Sequence, residues 1–174
     1  GDIDNTMAVY AANIFDKLCA DGIIVNPYMG DDVFAPLREY ADKAIVVLVK
    51  TSNPGAAIIQ DALLRSGRTL WQYVLEQVVD RWNQHNNLIP VLSATAGLDF
   101  VSVRRRIPDQ MPILLAGGGV QGGSFADLPK LLNSSGHGVF VNSSRGILYP
   151  PDLNDGDWKA AIRTAALRFK AELA

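Results

Sequence analysis

Five short runs that are apolar from end to end constrain this chain more than any other feature. They are 22–25, 44–49, 88–92, 112–115 and 138–141. A strand with one wet face alternates apolar and polar residues, whereas a strand without alternation is covered on both faces. Between the runs, apolar residues recur at helical spacings of three and four. Ile3, Met7, Tyr10, Ile14 and Leu18 precede the first run, and Val33, Leu37 and Ala41 follow it, with Asp31 or Asp32 placed to cap their helix. Leu70, Val74, Leu75, Val78 and Trp82 predict the longest amphipathic helix. Weaker helical patterns lie near Leu98–Arg105 and Phe125–Leu132, and a last one runs from Asp157 onward. Strand-helix alternation with short connections predicts an α/β fold with a parallel sheet. The pattern reads as one domain over 1–174, a helix followed by five strand-helix units.

Composition removes several classes of function. Sixteen basic residues against eighteen acidic ones leave a net charge of -2, which excludes a binder of nucleic acid that works through a strongly basic surface. No stretch approaches the ~20 apolar residues of a membrane span. No basic segment leads into an apolar one at the start, so the cytoplasm is the expected location. Cys19 is the only cysteine and reads as a small buried hydrophobe; His85 and His137 are the only histidines. Neither a disulfide nor a cysteine- or histidine-built metal centre is expected, and no cofactor is called for. Arg104, Arg105 and Arg106 read as a solvated helix face, and the three tryptophans as packing.

In parallel α/β architectures, function collects where strands end. The five ends carry Asn26-Pro27-Tyr28-Met29-Gly30, Thr51-Ser52-Asn53-Pro54-Gly55, Ser93-Ala94-Thr95, the glycine loop Gly117–Gly123 with Gln121, and Ser143-Ser144-Arg145-Gly146. The glycine loop matches the G-x-G-x-x-G pattern, but no acid lies between Asp127 and Asp152 to hold a ribose. The other reading is a phosphate cradle: close glycines let backbone N–H groups approach an anion, and Arg145 adds a permanent forked charge. Arg145 could instead pair with a surface acid, and Asp2 and Asp4 could simply favour the first helix's N-terminus.

Taken in order, Gly1-Asp2-Ile3, Val25-Asn26-Pro27-Tyr28-Met29-Gly30, Thr51-Ser52-Asn53-Pro54-Gly55, Gln121-Gly122-Gly123 and Ser143-Ser144-Arg145-Gly146-Ile147 resemble orotidine 5'-phosphate decarboxylase, in particular its longer bacterial branch. The resemblance implies a (β/α)8 barrel that dimerises and converts orotidine 5'-phosphate to UMP and CO2 without metal or organic cofactor. It implies that Ser52 contacts the pyrimidine and that Gln121 and Arg145 hold the phosphate. Asp2 looks like the last acid of the family's Asp-x-Lys-x-x-Asp motif, which with a threonine matching Thr6 reaches into the partner subunit's site.

The departures are as informative. The Asp-x-Lys part of that motif and the family's other catalytic lysine are absent from the sequence. The family's lysine stabilises the carbanion at C6 and then protonates it, a preorganised electrostatic task. Lys43 and Lys50 do not stand at those motif positions; Lys50, beside the pyrimidine loop, is the only nearby candidate for a substitute and is not expected to act as one. Ala116 and Gly118 also depart from the family's glycine-loop pattern. The expectation is a truncated (β/α) barrel of about five parallel strands, decarboxylase-like but inactive alone. Its open surfaces would be covered by a second copy, by a missing N-terminal fragment or by a rearranged terminal helix. The alternatives are an open, doubly wound sheet with a nucleotide at the glycine loop, and a non-catalytic, self-associating barrel fragment that at most binds phosphate or a nucleotide.

Overall fold

A computed structural model describes residues 3–117, 125–151, 153 and 156–173. Five strands form one parallel sheet in the order β1-β2-β3-β4-β5: β1 Gly22–Val25, β2 Ala44–Leu48, β3 Leu88–Ser93, β4 Ile113–Ala116 and β5 Val139–Val141. Each strand pairs only with its neighbours in sequence. A doubly wound sheet would reverse direction at a switch point. This one never does, which overturns the doubly wound alternative. Because parallel crossovers are right-handed, crossovers that all step the same way put their helices on one face, as along the wall of a (β/α) barrel.

The two faces of the sheet therefore differ. Ile23, Ile45 and Leu88 share one register row, and Leu92, Leu115 and Val141 another. These side chains face the helices and belong to the core with Met7, Phe15, Val33, Leu37, Val78 and Leu131. The opposite face carries Ile24, Val46 and Ile89 in one row and Leu48, Val91, Leu114 and Phe140 in the next. Of these seven only Val91 is buried, and none belongs to that cluster. At its margins Ile24 and Phe140 are 61% and 59% exposed. The helix-facing side is packed throughout, whereas the opposite side is covered at its middle, at Val91 and Ser93, and open at its margins.

The helices are α1 Asp4–Ala11, α2 Ala57–Gln60, α3 Leu70–Gln77, α4 Phe100–Arg106, α5 Arg145–Leu148 and α6 Trp158–Glu172. α1 and α3 continue as π-helical turns, Ala12–Lys17 and Val78–Trp82. The wider turn rotates the buried face, since its hydrogen bonds skip one residue more. Met7, Ala11 and Phe15 are buried, and the predicted Ile3, Tyr10 and Leu18 are exposed. The helix expected over Val33, Leu37 and Ala41 is two 3-10 segments, Pro27–Val33 and Pro36–Glu39. Pro36 has no N–H to continue a helix through it. Asp31 does not cap a helix there; it accepts from Arg81 at 2.7 Å.

At the start of α3 Thr69 N–H donates to Gln72 Oε1 at 2.9 Å, half of a capping box, and Phe34 stacks on Trp82 with centroids 4.4 Å apart. The longest helix is α6, with 15 residues and Asp157 as its N-cap. Trp82 packs as expected, whereas Trp158 is exposed beside Lys159. Cys19 is exposed rather than buried. Arg104 is not a solvated face residue: its guanidinium donates to the carbonyls of Ile107 at 2.8 Å and Pro108 at 2.5 Å, closing the C-terminus of α4. Burial holds its pKa below the usual arginine value, against the raising effect of Asp109.

Candidate functional site

The C-terminal ends of all five strands lie along one edge of the sheet, as parallel pairing requires. At β1, Asn26 turns the chain by accepting from Tyr28 N–H at 3.0 Å. At β2, Thr51 Oγ1 donates to Asn53 Oδ1 at 2.6 Å, folding the Thr51–Gly55 segment back on itself. These two loops and α3 enclose a cleft of about 790 Å3. Its polar lining includes Asn26, Thr51, Asn53, Gln60 and Gln77, against the rings of Trp71 and Tyr73. A cleft of that size with aromatic walls and a few converging amides suits a small organic ligand.

At β3, Ser93 is fully buried and its hydroxyl is spent locally, 3.0 Å from Thr95 Oγ1 and accepting from Thr95 N–H at 3.1 Å. β4 and β5 are neighbours, and Asn142 N–H donates to Leu115 O at 3.4 Å. The chain leaving β4 therefore starts beside the one leaving β5. Gly117, at φ +83°, begins the first with a backbone that a side chain would strain. Arg145 opens α5 after the second; it is exposed, and no carboxylate among the described residues pairs with it.

The other expected site residues are scattered in standing. Ser52 is half-buried between Thr51 and Asn53, which both line the cleft. Thr6 is exposed on α1. Asp2 and Gln121, with most of the glycine loop, lie outside the described residues. Lys50, which the sequence left as the one nearby candidate for a substitute lysine, has a partner of its own. It is 5% exposed, and its ammonium donates to Asp61 at 2.7 Å. No local motif announces Asp61, eleven positions away, nor Gln60, which binds the Thr51 backbone and hydroxyl. Among the described residues no group of three His, Cys, Asp or Glu side chains converges as a metal site would need.

The family model of the orotidine 5'-phosphate decarboxylase / HUMPS family matches residues 1–154. The chain belongs to this family. An orotidine 5'-phosphate decarboxylase of Aromatoleum aromaticum is 40% identical over 168 residues, which is 96% of this chain and 61% of that protein. One from Cellvibrio japonicus is 37% identical over 174 residues, 99% of this chain and 62% of that protein. Among solved structures, Leishmania donovani UMP synthase superposes with a TM-score of 0.80 at 34% identity, covering 99% of this chain and 37% of that one. Leishmania donovani OMP decarboxylase gives 0.76 at 32%, covering 99% and 65%. This chain thus spans about three-fifths of the length of these bacterial relatives. The fold is the corresponding arc of a (β/α) barrel.

Proposed function

We propose that this chain is the nucleotide-holding arc of an orotidine 5'-phosphate decarboxylase, and that these 174 residues alone turn over little or no substrate. In this reading Ser52 meets the pyrimidine, while Gln121 and Arg145 hold the phosphate. Asp2 and Thr6 serve the site of a partner copy in a cytoplasmic homodimer. The observation that carries it is the adjacency of β4 and β5. The segments that lead to the glycine loop and to Arg145 leave neighbouring strands, on the sheet edge that also bears Asn26 and Ser52. Arg145, without a carboxylate partner among the described residues, suits a charge-assisted bond to phosphate.

The expected lack of turnover follows from the chemistry. Decarboxylation breaks the bond between C6 and the carboxylate, CO2 leaves, and the electron pair stays on C6 until a proton arrives. In the family a lysine stabilises that pair and supplies the proton. The sequence has no lysine at those motif positions, and Lys50 is buried against Asp61. The open apolar face with Ile24 and Phe140 favours the second reading as well, a non-catalytic fragment that self-associates.

The test is CO2 release from orotidine 5'-phosphate by the purified chain at high protein concentration, paired with calorimetry on UMP. Binding of UMP without saturable release is the expected result. Saturable release would sink the claim of inactivity, and absent UMP binding would sink the nucleotide reading.

A further inference from the structure

The chain leaving β2 folds back onto its own root. Lys50 Nζ donates to Asp61 Oδ1 at 2.7 Å. Thr51 N–H donates to Gln60 Oε1 at 3.0 Å, and Gln60 Nε2 donates to Thr51 Oγ1 at 2.9 Å. Two consecutive residues leaving the strand are thus gripped by the two consecutive residues that end the excursion. Between them, residues 52–59 form a lobe with almost no core. Ala56 is its only buried residue, and Ile58 is 84% exposed.

Open volume flanks the lobe on both sides. Thr51 and Gln60 line the cleft already described. Lys50 and Asp61 line a second one of about 680 Å3, between α3 and the β3–α4 connection. A segment with so few apolar contacts belongs to the least stable part of a fold unless something else holds it. Here the polar contacts at its base do so. The ammonium is withdrawn from water, where an ion pair is stronger and an unpaired charge costly.

We infer that Lys50, Asp61 and Gln60 form a latch that fixes the lobe bearing Ser52 beside the cleft, and that they are positioning residues for ligand recognition. None of the three needs to touch the ligand for this. The link to a ligand rests on the nucleotide reading above; the latch itself does not.

Lys50→Met tests it. The variant keeps the side chain's length and leaves no buried charge behind, because Asp61 is partly exposed. Amide hydrogen exchange of the ligand-free 174-residue chain is the first readout. Amides of 52–60 should exchange about tenfold faster or more, while those of the five strands stay unchanged. Gln60→Ala should give the same local pattern and guards against a variant that fails to fold. Unchanged exchange in both variants, or acceleration across the whole sheet, overturns the latch. UMP calorimetry is the second readout, with an expected loss of roughly five- to tenfold, because the recognition loop must be re-ordered on binding. Equal UMP affinity with a loosened lobe overturns the positioning role. If the unmodified chain binds no UMP, the nucleotide reading and the positioning role fall together, and the exchange pattern still decides the latch.

Discussion

At Cys19 a single backbone angle sets an expectation. The residue lies at φ +53°, where the π-helical turn ends. Leu18 N–H bonds to Asn13 O and Ala20 N–H to Ile14 O, both at 3.0 Å, so the chain needs a left-handed residue at that point. A side chain there costs roughly 1–2 kcal/mol, and glycine's greater freedom in the unfolded chain offsets part of the gain from removing it. Cys19→Gly should therefore raise stability by about 1 kcal/mol in urea unfolding. A lower midpoint in the variant would show that the thiol contributes more than the backbone strain costs. Arg145 carries a prediction of function. Arg145→Ala should weaken UMP binding by more than roughly tenfold, since a charge-assisted contact is lost. Equal affinities by calorimetry would remove the phosphate assignment.

Among the elements, the connections flanking β4 are joined by a carboxylate. Asp109 accepts from Ser134 N–H at 2.9 Å and from its hydroxyl at 2.6 Å. The Ser134 hydroxyl, then its backbone N–H, holds the Asp109 carboxyl below the usual range, with Arg104 adding to the effect. Asp99, capping α4, is lowered in the same way by Ser102. A lowered carboxylate contributes stability that is complete above the ordinary aspartate pKa near ~4 and is lost as pH falls through the folded value. Ser134→Ala should thus destabilise the chain more near neutral pH than at about pH 2. Thermal unfolding at both values checks this, and a deficit independent of pH would argue against the linkage.

The same elements show what could be read in advance. All five strands were legible because burial suppresses alternation. The two π-helical turns were not, since no local spacing marks where a hydrogen bond slips to the next residue. Pro36 was the legible sign against a helix over Val33–Ala41. At the site, Ser52 and Arg145 could be named from loop motifs, whereas Lys50–Asp61 depended on a tertiary approach across the lobe.

For the molecule as a whole, the sheet face turned away from the helices is the dominant fact. Ile24 and Phe140 are exposed at its margins, Val46, Leu48, Ile89 and Leu114 are half-buried, and Val91 is buried. Contiguous exposed apolar surface favours association, and so do two unpaired strand edges. Light scattering of the purified chain at micromolar concentration should give a mass of two chains or more, with a two-fold pair as the simplest assembly. A single-chain mass would count against pairing through this face. Replacing Ile24 and Phe140 by glutamate should shift the population toward single chains if the face is what pairs.

The strictly sequential strand order has a consequence for how such a sheet is assembled. Every ladder joins segments adjacent along the chain, so no strand waits for a distant one before it can dock. Growth can proceed unit by unit, as in a solenoid, from whichever end forms first. The edge strands β1 and β5 are then growing ends, and one strand-helix unit more or fewer there leaves every interior ladder intact.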